Sequence, residues 1–154
     1  MSLTSGLSSA VDLFRKLQRD VARLDGEVTN DQFFNLVITA YSLIDWVKND
    51  PSIPAAARTQ AEIDRVHKDP WLKVCGDLAN AGKHFVLSKR KPAATNVTSD
   101  SGYGIGRFGK GAFGEGERDI QVHIDGGYVW TALEFSTGVL QAWIQFFERH
   151  GISV

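Results

Sequence analysis

Up to Pro92 the apolar residues of this chain recur at intervals of three and four, over Arg118–Ile124 they alternate, and from Thr131 the helical interval returns. A helical repeat and a strand repeat put different side chains on one face, so two changes of period divide the chain into helices, a β region and a last helix. A length of 154 residues suits one domain able to bury a real core. The expected fold is mainly α over residues 1–154: an up-and-down bundle of four to five helices, with a β-hairpin inserted at about 93–129 before the C-terminal helix.

Local signals set the expected boundaries. Ser8 is placed to cap a first helix whose Ala10, Phe14, Leu17, Val21 and Leu24 share one face. Thr29 or Asn30 opens a second, DQFFNLVITAYSLIDWVKND; its apolar residues nearly surround the axis, which predicts the most buried helix of the bundle. Pro51 stops it. A thinner stripe between Pro54 and Lys68 predicts a short peripheral helix. Asp69-Pro70 then starts another, from Trp71 to about Ser88, with Lys89, Arg90 and Lys91 at the negative end of its dipole.

In the β region, Ala94–Ser99 and Arg118–Ile124 read as two strands, the second with Ile120, Val122 and Ile124 on one face. Asp125-Gly126-Gly127 is a further turn that can add a short strand through Tyr128. Thr131-Ala-Leu-Glu134 has the form of a capping box, and Leu133, Leu140, Trp143, Ile144 and Phe147 supply the apolar face of the last helix before His150-Gly151.

Bulk chemistry excludes some functions. A formal net charge of −1 argues against a surface built throughout to neutralise nucleic-acid phosphates or to adhere to an anionic membrane. Cys75 is the single cysteine, so no internal disulfide is expected, and MSLTSGLSSAVDLF lacks the pattern of a secretory signal. Asp45, Lys48, Lys83 and Glu134 interrupt the most apolar stretches, short of the roughly 20 residues a membrane span needs. A soluble cytoplasmic protein with no membrane partner is expected.

The Gly102–Gly116 segment holds seven glycines in fifteen residues and contains Gly104-Ile-Gly106-Arg-Phe-Gly109, a letter-for-letter G-x-G-x-x-G. A dinucleotide site needs those glycines between a strand and a helix, whereas here a strand follows, so the segment reads as a hairpin tip. Arg107 and Lys110, with Phe108 and Phe113, are its candidate contacts to single-stranded nucleic acid, opposed by Glu115 and Glu117.

The stretch CGDLANAGKHF, residues 75–85, carries the most chemical information. At about 100° per residue, Asp77, Asn80 and His84 fall in a narrow arc of one helix face, with Lys83 turned aside. Helix two offers a comparable row, Asn35, Thr39, Ser42 and Asp45. If the rows face each other, Asp45 can orient His84 while Asn80 and Asp77 supply hydrogen bonds. The same residues can equally form a closed network that fixes helix register without chemistry. Ala79, Ala81 and Gly82 allow a close helix approach, and Gly82 costs about 1 kcal/mol against alanine inside a helix, which tight packing or ligand access must offset. Asp45, Asp77 and His84 are too thin a set for a metal, and no cofactor is expected. Cys75 and His84 lie on opposite helix faces, which removes a nucleophilic dyad and leaves Cys75 a small core residue.

The combination of FFNLVITAYSLIDWV with CGDLANAGKHF resembles a group of bacterial helical-bundle proteins of unassigned function and, more distantly, the HEPN family, over roughly residues 10–90 and the last helix. The resemblance implies a dimeric bundle and, for many members, a metal-independent ribonuclease of toxin or defence systems. Its motif is an arginine followed by a polar residue, with histidine four to six positions on. The matching region here has Asn80 and His84 without that arginine, so Lys83 would have to supply the cation. Arg118 and His123 fit the spacing, but on a strand they point to opposite faces. Two readings follow. The leading one is a non-catalytic binding or interaction module, a homodimer with an RNA or protein partner. The alternative is an HEPN-like endoribonuclease with His84 as general base, assisted by Asn80, Lys83 and Asp45, with Asp77, Arg107 and Lys110 as binding residues.

Overall fold

The computed structural model describes residues 6–24, 28–84, 91–102 and 117–154. It is mainly helical, with a small antiparallel sheet between the fourth and fifth α-helices. The helices are α1 (Ala10–Arg23), α2 (Asn30–Asn49), α3 (Gln60–Lys68), α4 (Pro70–His84) and α5 (Ala132–Arg149), with a 3-10 turn at Ala55–Arg58 ahead of α3. The strands are β1 (Ala94–Gly102), β2 (Glu117–Ile124) and β3 (Val129–Thr131), in the order β1-β2-β3. The third strand completes the sheet that the Asp125-Gly126-Gly127 turn anticipates; Gly126 and Gly127 take φ of 98° and 86°, and the Ile124 amide donates to the Tyr128 carbonyl at 2.8 Å.

Side chains define most helix starts. Thr29 with Gln32 and Thr131 with Glu134 form reciprocal capping boxes. Asp69 Oδ1 accepts from the Trp71 and Leu72 amides at 2.9 and 3.1 Å, leaving Pro70 at the position where its missing N–H costs nothing. The cap of α1 is Ser9 rather than Ser8, because Ser9 pairs with Asp12 in a capping box; the Ser8 hydroxyl donates to Asp12 Oδ2 instead.

The four long helices form a ring in which α1 meets α2, α2 meets α4, α4 meets α5 and α5 returns to α1. Ala10 lies by Asp50 and Lys16 by Thr39, so α1 and α2 are antiparallel; Phe34 lies by Gly82 and Tyr41 by Gly76, so α2 and α4 are too. Short α3 sits outside the ring against α4. The centre is aromatic: Phe14 and Phe147 pack at 4.9 Å between ring centroids, and the buried Trp143 donates its indole N–H to the Ala40 carbonyl at 3.2 Å. Ile120 and Val122 close one side of this core from the sheet.

Two expectations about faces need correction. Helix α2 buries Leu36, Val37, Ala40, Leu43 and Val47 but leaves Phe34 47% and Ile38 38% exposed, so it is not covered all round. On α5, Leu133 faces outward, whereas Phe135, Val139 and Phe146 join Trp143 and Phe147 inside. In both helices the ring packing of neighbours selects a narrower face than the apolar letters allow.

Candidate functional site

The polar row of helix α2 divides between different neighbours. Asn35 and Thr39 turn toward α1. There Lys16 Nζ reaches Asp20 Oδ2 at 2.6 Å, the Thr39 hydroxyl at 2.7 Å and Asn35 Oδ1 at 3.3 Å. The Thr39 hydroxyl can donate to Asp20 Oδ2 at 3.0 Å or to the Asn35 carbonyl at 2.8 Å. Asp20 is 2% exposed, and its other oxygen has Arg23 at 3.6 Å. This is a buried carboxylate whose Oδ2 is bonded by an ammonium and a hydroxyl, an arrangement that holds α1 against α2. Asp20 and Lys16 were not singled out by the sequence; the signal was their i, i+4 pairing on the edge of an apolar helix face.

Asp45 sits elsewhere. It is exposed, accepts from Asn49 Nδ2 at 3.0 Å, and lines a shallow groove with Ser8, Ser9, Trp46, Asn49, Asp50 and Pro51. The carboxyl end of α4 lies against Phe34, eleven residues or about 16 Å along α2 from Asp45. His84 is the last residue of α4, and its side chain lies outside the described part of the structure, as do Arg107, Lys110 and the G-x-G-x-x-G segment. Lys83 is exposed.

The row on α4 divides as well. Asp77 is 1% exposed and accepts from the Ala93 amide at 2.6 Å, which ties the segment entering β1 to the helix. Cys75 is fully buried, its thiol 3.4 Å from the Val37 carbonyl, and burial pushes its ionisation far up, which suits a core side chain. Asn80 faces outward and its amide lies 3.5 Å from the Tyr41 hydroxyl.

Around Asn80 the helices α2, α3 and α4 frame a groove of about 320 Å³ lined by Tyr41, His67, Leu72, Lys73, Gly76 and Asn80. Lys73, Gly76 and Asn80 follow one another at i, i+3 and i+7, so they form one stripe of α4. Gly76 sets the floor: a β-carbon there would stand 2.9 Å from Tyr41 Cε2, so the missing side chain lets the tyrosine ring lie on the helix. Tyr41 also meets the His67 ring edge-on at 6.4 Å. Gly82 has the same relation to Phe34, with a β-carbon 2.3 Å from Phe34 Cε2. The glycine in the middle of α4 therefore serves close packing by an aromatic ring.

Of the expected site residues that are described, Asn80 lines this groove and Asp45, Asp77 and Lys83 do not; Tyr41, His67 and Lys73 join it. Tyr41 lies among the apolar letters of α2, and Lys73 lies two residues before CGDLANAGKHF. The stripe Lys73-Gly76-Asn80 is the pattern that could have found it. Among the described residues, no group of three or more His, Cys, Asp and Glu side chains is placed to hold a metal ion, and no described helix is long and apolar enough to cross a membrane. Comparison of the chain with protein-family models, with curated proteins and with solved structures finds no match.

Proposed function

We propose that this protein is a non-catalytic binding module, cytoplasmic and homodimeric, whose ligand seats in the groove between α2, α3 and α4. The observation that carries the reading is the convergence of Tyr41, His67, Lys73 and Asn80 around the bare backbone of Gly76. A concave site with a few polar groups set among rings and a leucine is the usual form of a small-ligand pocket, and about 320 Å³ is at the small end of that range. The separation of Asp45 from the end of α4 favours binding over the His84-centred catalysis that the HEPN resemblance implies. A dimer through helix faces is supported by Phe34 and Ile38, adjacent exposed apolar side chains on α2. A single cysteine, buried as a free thiol, suits a reducing compartment.

The test is a thermal-shift screen of neutral, cationic and anionic small molecules on the full chain and on Asn80→Ala, run beside a metal-free RNA cleavage assay. Expected are compounds that raise the melting temperature of the parent and lose that effect in the variant, with no RNA cleaved. Metal-free cleavage that disappears in a folded His84→Ala protein would overturn the reading in favour of an HEPN-like endoribonuclease.

A further inference from the structure

The groove is furnished with donors and, among the described residues, has no acid in its lining. Lys73 carries an ammonium, Asn80 an amide N–H₂, Tyr41 a hydroxyl and His67 an imidazole that has an N–H in either charge state. Among the described residues Lys73 makes no ion pair or side-chain hydrogen bond, and the ring contact of His67 is to Tyr41. The carboxylates nearest in sequence on the framing elements are all engaged elsewhere. Asp45 takes Asn49, Asp64 takes the Gln60 amide at 2.7 Å, Asp69 caps α4 and Asp77 takes the Ala93 amide. Most other described cations, by contrast, have an acid beside them: Arg15 has Asp12, Lys16 and Arg23 have Asp20, Arg65 and Arg149 have Glu62, and Lys91 has Asp125.

A cation lining a concave site whose own acids are engaged elsewhere leaves a place for an external negative charge, and charge-assisted hydrogen bonds from Lys, Asn, Tyr and His suit tetrahedral or planar oxyanions. Resting on the groove as the binding site, we infer that its ligand is a small oxyanion, phosphate or a phosphate monoester, held by Lys73, Asn80 and the Tyr41 hydroxyl. The rings of Tyr41 and His67 with Leu72 form the apolar walls, and they would flank the carbon skeleton of a monoester. Lysine serves here as a point charge that accepts an oxyanion from several directions, which suits a shallow site.

The experiment is an amide-resolved NMR titration of the full chain at low salt with inorganic phosphate, O-phosphoserine and serine. The expected result is saturable shifts at Lys73, Gly76 and Asn80 with the two phosphate probes and none with serine. Lys73→Gln, at an exposed position that leaves the fold intact by melting temperature, should weaken phosphate-probe binding at least fivefold, whereas Lys48→Gln on α2 should not. Equal affinity for phosphate and O-phosphoserine identifies free phosphate as the source, and tighter binding of O-phosphoserine identifies a monoester; either supports the assignment. Saturation by serine alone, or phosphate affinity unchanged in Lys73→Gln, overturns the oxyanion and leaves the groove as a binding site. No shift at the groove with any of the three probes also overturns the oxyanion, and the thermal-shift screen then decides the groove separately.

Discussion

Helix α2 touches polar side chains on two sides, and they are put to opposite use. Toward α1, Thr39 and Asn35 meet Lys16 and Asp20 in a cluster whose carboxylate is almost fully buried. Toward α4, Tyr41 meets Asn80 across a groove open to solvent, with Lys73 and His67 beside them and no carboxylate among the described lining residues. In the first cluster the carboxylate's charge is met within the protein, by Lys16 at one oxygen and Arg23 near the other, and the consequence is structural. In the second, donors outnumber acceptors. A polar residue inside a helical bundle thus takes its meaning from whether the neighbouring helix completes its chemistry or leaves it to an outside molecule.

Mutation should separate the two sides sharply. Asp20→Ala removes the acceptor of Lys16 and Thr39 from a site with 2% exposure and leaves a partly covered ammonium without its partner. The expected loss is about 2–3 kcal/mol, because Lys16 retains some access to water and the full cost of a broken buried pair is not reached. Asn80→Ala breaks only a 3.5 Å contact at a half-buried position, with an expected change within about 0.5 kcal/mol. Urea unfolding of both variants measures the difference. Equal losses would break the distinction and make the groove a second structural network.

That division was only partly legible in the sequence. Caps at Thr29, Asp69 and Thr131, the alternation of Ile120 and Val122, and the glycine turn before β3 depend on neighbours within a few residues, so the local text carries them. The partner of a polar residue on α2 depends on how three helices are rotated about their axes, which short-range periodicity leaves open. Asn35, Thr39, Ser42 and Asp45 looked like one row, yet Thr39 belongs to α1 and Asp45 to its own helix through Asn49. The groove was harder still, since its tyrosine reads as core and its floor is a glycine. Its nearest textual trace is a lysine, a glycine and an asparagine on one stripe of α4.

The next prediction compares two glycines on which aromatic rings rest. At Gly138 of α5 a β-carbon would stand 2.2 Å from Trp71 Cδ2, and that indole is itself packed on Trp130 with ring centroids 4.1 Å apart. At Gly82 the obstructing ring is Phe34, half exposed and able to swing into solvent. Gly138→Ala should therefore destabilise by about 1–3 kcal/mol, the usual cost of overpacking. Gly82→Ala should be close to neutral, because the helix gains about 1 kcal/mol of propensity against the displaced ring contact. Thermal melts of the two proteins decide it; a large loss at Gly82 would mean that Phe34 is held in place more firmly than its exposure suggests.

The smallest effect concerns the outer wall of the groove. Helix α3 carries His67 into the lining, and a turn earlier Glu62 binds the end of α5, with Oε2 3.0 Å from both Arg149 Nη2 and His150 Nε2 and Oε1 3.5 Å from Arg65 Nη1. The hydrogen bond from His150, helped by Arg149, lowers the Glu62 carboxyl below its ordinary value of 4.5. A carboxyl lowered by folding adds stability that is complete above its unfolded value and is lost as pH falls through the folded one. Between neutral pH and about 5 the parent should melt slightly above Glu62→Gln, and the two curves should converge as pH drops below 4.5 toward the lowered folded value. The Glu62 contribution is read from the difference between the two proteins at each pH. Retention of the full difference down to pH 2 would show that Glu62 holds α3 by packing rather than charge, and the outer wall of the groove would then be as firmly fixed as the contact between α1 and α2.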